Sequence, residues 1–178
     1  MHDSLAPQSL LGITSFMKVL CVFSINNYSD FYKKPLENFW EINTGISIIS
    51  AVLKQHGHET KLAVLTRKTP LSFFDKIIED FRPDIMAYSA VASEFDFINN
   101  IAIYAGNKYP EIFRIIGGVH VSIFPEESIL ENFEALCVGE GEYPSLELVQ
   151  SLEKRTNPSG IRNLWIKTQG NKIEKKHM

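Results

Sequence analysis

Near-continuous apolar runs alternate along this chain with stretches whose apolar residues recur at three- and four-residue spacing. Residues 18–23, 85–90, 113–116 and 135–138 are the continuous runs. A strand without polar alternation is buried on both faces, which indicates a parallel sheet covered by helices on each side. Residues 60–66 alternate more, which places that strand toward an edge. Between the strands, Ile46, Ile49, Val52 and Leu53 make a helical stripe that ends at Gly57, a capping glycine. Leu71, Phe74, Ile77, Ile78 and Phe81 make a second, closed off by Pro83 and Asp84. Phe95, Ile98, Ile101, Ala102 and Ala105 make a third. Leu146, Val149 and Leu152 make the last, with Pro144 suited to its first turn. Residues 126–132 read as a short helix entered through Pro125.

Strand–helix units in series predict an α/β fold, a doubly wound parallel five-stranded sheet in the flavodoxin-like (Rossmann-like) order 2-1-3-4-5. Residues 164–168 and 172–174 flank Gln169-Gly170-Asn171 and predict a small C-terminal hairpin. The expected organisation is an N-terminal extension over 1–16, a ligand-binding domain over 17–154, and a hairpin and linker over 155–178. At 178 residues with 44% apolar and 22% charged positions, the chain is expected to be one soluble domain. A net charge of −3 gives no nucleic-acid footprint. Cys21 and Cys137 both sit in apolar strand runs and read as buried thiols, which fits a cytoplasmic setting. No stretch reaches the ~20 apolar residues of a membrane span.

The chemistry concentrates at strand ends. Ligands of open parallel sheets bind at the carboxyl edge, and that edge here receives four loops. They are the long segment 24–43, Ser89-Ala90-Val91-Ala92-Ser93, Gly117-Gly118-Val119-His120 and Gly139-Glu140-Gly141-Glu142. Glycines there leave room for a flat, bulky ligand to approach the backbone. Each feature also has a plainer reading. Gly-Gly closes many ordinary turns, Ser89 and Ser93 suit helix caps, and Glu140 and Glu142 suit a helix N-terminus. His56 and His58 flank Gly57 on the opposite rim and read as a surface turn, since a metal site needs three or four convergent ligands. A dinucleotide fingerprint, a phosphate loop, a nucleophile elbow and a cysteine cluster are all missing from the sequence. Neither catalytic residues nor metal ligands are expected from the chain itself.

At these residues the sequence resembles the cobalamin (vitamin B12)-binding domain that precedes the catalytic domain of B12-dependent radical SAM enzymes. The resemblance runs from about Met17 to Glu174. It is carried by Asn43-Thr44-Gly45, Gln55-His56-Gly57-His58-Glu59, Tyr88-Ser89-Ala90, Ile116-Gly117-Gly118-Val119-His120, Pro125-Glu126 and Val138-Gly139-Glu140-Gly141-Glu142. B12 domains of the methionine-synthase kind carry Asp-x-His-x-x-Gly, Ser-x-Leu and Gly-Gly. Ser89-Ala90-Val91 stands near the second of these and Gly117-Gly118 matches the third. In the first motif, setting Gly45 on the glycine puts Trp40 and Ile42 at the Asp and His positions.

The resemblance therefore implies cobalamin bound with its benzimidazole tail detached and no protein histidine on cobalt, a metal-binding protein only through its cofactor. It implies cofactor contacts at Asn43, Thr44, Gly45, Ser89, Ala90, Val91, Ser93, Gly117, Gly118, His120, Gly139, Glu140, Gly141 and Glu142, with Trp40, Ile42 and Val91 beneath the corrin. The partner it implies is a radical SAM catalytic domain in cis. That domain would carry the 4Fe-4S cluster and S-adenosylmethionine of a methyltransferase-type reaction. The Cys-x-x-x-Cys-x-x-Cys that holds such a cluster does not occur in these residues, so a fragment of a longer enzyme is expected. Two other readings of the same residues stay open: a degenerate flavodoxin-like docking module that binds no cofactor, with the aromatic-rich segment 28–40 as its surface, and a flavin or nucleotide carrier.

Overall fold

A computed structural model describes residues 16–25, 43–129, 132–168 and 172–176. The N-terminal extension up to residue 15, the aromatic-rich segment 28–40 together with Ile42, and the turn at 169–171 lie outside the described residues.

The continuous apolar runs form the sheet. Strands β1 (Lys18–Ser24), β2 (Glu59–Leu65), β3 (Ile85–Ser89), β4 (Phe113–Gly117) and β5 (Ala135–Cys137) pair in parallel in the order β2-β1-β3-β4-β5. The more alternating strand, β2, is the edge. Beyond β5 the predicted hairpin is not an appendage. Strand β6 (Leu164–Lys167) pairs antiparallel with β5, and β7 (Ile173–Lys175) pairs antiparallel with β6, so the sheet has seven strands. Leu164, Trp165 and Ile166 are all buried, which fixes β6 in the core and covers the edge β5 would otherwise present.

Side chains alternate between the two faces. Leu20, Val22, Met86, Tyr88, Ile116 and Leu136 meet helices α2 (Leu71–Phe81) and α3 (Phe95–Lys108). Val19, Cys21, Ile85, Ile115, Ala135 and Cys137 meet α1 (Thr44–Gln55) on the opposite face, together with a helix after β5, Glu142–Glu153. Helix α1 ends as predicted: Gly57 takes φ +88° just past its last turn.

One element departs from the sequence reading. The segment after β4 forms two short helices, α4 (Val119–Ile123) and α5 (Pro125–Ser128), instead of one over 126–132. Pro125 disfavours helical backbone at the residue before it, and Phe124 takes φ −124°, ψ +58°, so the chain turns there. The helix at Glu142–Glu153 is therefore α6.

Candidate functional site

The sheet's carboxyl edge opens into a cleft that runs down one face of the sheet, between α1 and α6. Its volume is about 260 Å³. The cleft follows from side-chain size. Register aligns Cys21 with Ala87 and Ala87 with Ile115, and one pleat nearer the edge it aligns Phe23 with Ser89 and Ser89 with Gly117. On this face the central strands thus carry Ala87, Ser89 and Gly117, too short to reach the helices above. Ile46, Ile49 and Leu53 of α1 form one wall; Ser145, Leu148 and Val149 of α6 form the other.

Both helices point their N-termini at the mouth. Asn43 caps α1: its side-chain oxygen accepts from the Ile46 N–H at 3.0 Å, and its Nδ2 donates to Ser89 Oγ at 3.4 Å. One residue therefore ties the helix start to the end of β3. Glu140 and Glu142 stand at the α6 side of the mouth. Positive potential from two helix starts and an acceptor-rich rim sit side by side there.

The glycines have different reasons. Gly118 has φ +102°, and a Cβ on it would lie 2.7 Å from the Ala90 carbonyl oxygen and 2.9 Å from its nitrogen. Its glycine is demanded by the protein's own backbone, since Ala90 N–H donates to the Gly117 carbonyl and His120 N–H to the Ala90 carbonyl. Gly141 lets α1 close in, because a Cβ would lie 3.0 Å from Ile49 Cδ1. Gly139 has φ +85° and donates its N–H to Ser122 Oγ at 2.9 Å. At Gly117 a Cβ would make only ordinary contacts with Cys137 at 3.7 Å. That position is bare because the cleft passes over it.

Of the residues the sequence reading singled out, Asn43, Gly45, Ser89, Val91, Gly117, Gly118, Gly139, Glu140, Gly141 and Glu142 all line the cleft. Thr44 begins α1, exposed beside it. Ala90 is buried behind the rim. Ser93 is exposed, its carbonyl accepting from Arg67, and neither serine caps a helix. His120 lies elsewhere: its ring stacks on Phe95 at 4.0 Å and tilts against Phe124 at 5.5 Å, and both ring nitrogens are buried without a hydrogen-bond partner.

His56 is exposed and bonds the Val52 carbonyl. His58, read as a surface residue, is 5% exposed and its Nδ1 accepts from the Met17 N–H at 3.4 Å. Burial holds its pKa below the ordinary value. Among the described residues no three His, Cys, Asp or Glu side chains stand close enough to hold a metal ion, and no helix is long and apolar enough to cross a membrane.

The walls escaped the sequence reading. Cys21, Ala87, Leu53 and Val149 read as core, and they are core on every side but one. The available signal was the pair of small residues, Ala87 and Ser89, on the same face of a central strand. Cys21 and Cys137 are free, buried and protonated; burial pushes their thiols up to about 11 and about 12.

The family model of the B12 binding domain matches residues 40–149. The chain belongs to the B12-binding domain family. Its cofactor is cobalamin. It is 31% identical over 129 residues to an uncharacterized methyltransferase, PH0819, of Pyrococcus horikoshii, covering 71% of this chain and 28% of that protein. It is 24% identical over 150 residues to cytidylyl-2-hydroxyethylphosphonate methyltransferase of Streptomyces wedmorensis, covering 73% of this chain and 28% of that protein. The chain thus spans just over a quarter of the length of these curated relatives. Among solved structures, the cobalamin-dependent S-adenosylmethionine radical enzyme OxsB with aqua-cobalamin and S-adenosylmethionine bound superposes with a TM-score of 0.71 at 18% identity. That match covers 92% of this chain and 22% of that one, and it shows the shared fold.

The cleft fits the assigned cofactor in kind. Its volume falls below the roughly 300–1,000 Å³ of sites that enclose a whole drug-sized ligand. It has room for a slender appendage, while a larger body would remain on the rim.

Proposed function

We propose that this chain is the cobalamin-carrying module of a longer B12-dependent radical SAM enzyme of the methyltransferase type. It holds cobalamin with the nucleotide tail detached and inserted between α1 and α6, and no histidine of the chain bonds cobalt. The observation that carries this reading is the cleft: a slot floored by Ala87, Ser89 and Gly117 that starts at the carboxyl edge and passes down the sheet face. In support, none of the three described histidines lines it.

In this reading Asn43, Thr44, Gly45, Ser89, Val91, Gly117, Gly118, Gly139, Glu140, Gly141 and Glu142 contact the cofactor. Ala90 and His120 brace the rim from behind, the His120 N–H donating to the Ala90 carbonyl, and Ser93 stands exposed outside the cleft. The helix starts at Thr44 and Glu142 favour the anionic phosphodiester of the tail, and the carboxylates of Glu140 and Glu142 accept from the amides around the corrin. Bound cobalamin supplies a cobalt centre that takes up and passes on a one-carbon group; the chain binds and orients it and leaves the lower face of cobalt without a protein ligand. The carrier domain takes in β6 and β7 as strands of its sheet, beyond the 17–154 expected from the sequence, and it serves a catalytic domain that supplies the iron–sulfur cluster and S-adenosylmethionine.

Titration with hydroxocobalamin, gel filtration, and electron paramagnetic resonance of the reduced cob(II)alamin form test this. The expected result is retained corrin whose signal lacks nitrogen superhyperfine splitting. A split signal from benzimidazole overturns the tail-off reading, and one from a histidine overturns the statement that no histidine bonds cobalt. Elution of the protein free of corrin overturns the carrier reading.

A further inference from the structure

The cleft is graded from mouth to floor. Apart from Tyr88, whose hydroxyl donates to Met86 Sδ, and the weakly polar thiols of Cys21 and Cys137, its polar side chains are Asn43 at the cap of α1, Ser89 at the end of β3, Glu140 in the loop after β5, and Glu142 and Ser145 in the first turn of α6. Its far end is bounded by Val19 and Ile85 near the starts of β1 and β3, Leu53 near the end of α1, and Val149 midway along α6. The backbone of β1 and β3 at that depth is spent on the sheet ladder. A ligand group reaching the far end meets carbon and finds no donor or acceptor.

We infer that this cleft selects among cobamides by the polarity of the lower base, favouring apolar benzimidazole- and phenol-type bases and discriminating against purines. The inference rests on the tail-inserted reading above and names the ligand class that the slot takes. An adenine base would bring ring nitrogens and an exocyclic amine to Val19, Leu53, Ile85 and Val149, where they lose their water and gain no partner. Rejection of this kind by an apolar wall is worth roughly 10- to 100-fold, comparable to a size mismatch, because the wall itself has no polar group to leave unpaired. Adenine is also the weaker ligand to cobalt, so detachment alone would favour it. A preference for benzimidazole therefore reports the slot. A p-cresol base has no nitrogen to bond cobalt and is detached beforehand, so it enters without that cost.

The test is equilibrium binding of cobalamin, adeninylcobamide and p-cresolylcobamide to the whole chain, followed by absorbance, with paramagnetic resonance of the bound cobalt(II) forms. Adeninylcobamide is expected to bind at least about tenfold more weakly than cobalamin, ~1.4 kcal/mol, and p-cresolylcobamide at least as tightly as cobalamin. In Val149→Thr, checked for folding by thermal melt, a hydroxyl at the far end is expected to narrow the adenine gap. Equal binding of the adenine and benzimidazole forms, within about twofold, overturns the inference while leaving the carrier reading intact. An adenine gap that Val149→Thr leaves unchanged overturns its assignment to the far end of the cleft. Binding of none of the three is instead the failure of the carrier reading, and a nitrogen-split signal from bound cobalamin is the failure of the tail-inserted reading on which the inference rests.

Discussion

Replacing Gly117 by leucine separates a ligand site from a merely well-made fold. Gly117 closes β4 with no left-handed backbone, and a Cβ there stands 3.7 Å from Cys137 Cβ and from the Cys137 carbonyl oxygen, ordinary contact distances. The sheet therefore accepts the substitution, and the outer carbons of leucine project into the cleft. Excluding on the order of 100 Å² of ligand contact at about 25 cal/mol per Å² costs about 2.5 kcal/mol, or about 70-fold in Kd. Folding stability should stay within about 1 kcal/mol of the parent chain, because the side chain also restricts the unfolded state. Gly118→Ala should do the reverse. At φ +102°, ψ −179°, with the Ala90 carbonyl oxygen 2.7 Å from the new Cβ, it should destabilise the fold by about 1–3 kcal/mol or more. Hydroxocobalamin titration beside a thermal melt reads both quantities. If Gly117→Leu keeps its melting temperature and binds the corrin as tightly as the parent, the cleft is not where the cofactor enters, and the reasoning is refuted.

Other consequences are as direct. Asn43→Ala removes the cap of α1 and its link to Ser89; it should cost about 1 kcal/mol and lower the melting temperature by roughly 2–4 °C. Burial holds His58 below its ordinary pKa of 6.5, so the unfolded chain takes up that proton first as pH falls. Its contribution is complete above pH 6.5 and is lost below it; His58→Gln should flatten the acid limb of a stability–pH curve, and an unchanged limb would count against the assignment. Cys21 and Cys137 are raised from 9.0 to about 11 and about 12, so the unfolded chain loses those protons first. Stability from these thiols is full below pH 9 and declines above it, and iodoacetamide at pH 8 should alkylate neither until denaturant is added. Rapid alkylation of the native chain at pH 8 would contradict their burial.

The sheet was legible because its strands have two buried faces, and a run such as Ile85 to Tyr88 is too short for a helix and is preceded by the break at Pro83 and Asp84. The rim was legible because glycine and serine gather at strand ends, and ten of the residues singled out there do line the cleft. The walls were not legible. Leu53 and Val149 obey the helical spacing of ordinary core residues, and only the register that sets Ala87 and Gly117 beneath them leaves a gap. His120 looked like part of the rim from its neighbours, but the short helix α4 turns its ring toward Phe95 instead. That helix was itself hidden, since the glycines before it and Pro125 after it leave too few residues for a periodic signal. His58 looked exposed beside Gly57 because nothing in the local sequence announces that Met17, far away in the chain, covers it.

The central claim concerns where the tail of cobalamin goes. A crystal structure of this chain loaded with cobalamin tests it most directly. The account predicts the lower base between α1 and α6, over Ala87 and Gly117, with nothing from the chain on the lower face of cobalt. A base still bonded to cobalt above a cleft filled by the protein's own side chains would contradict it.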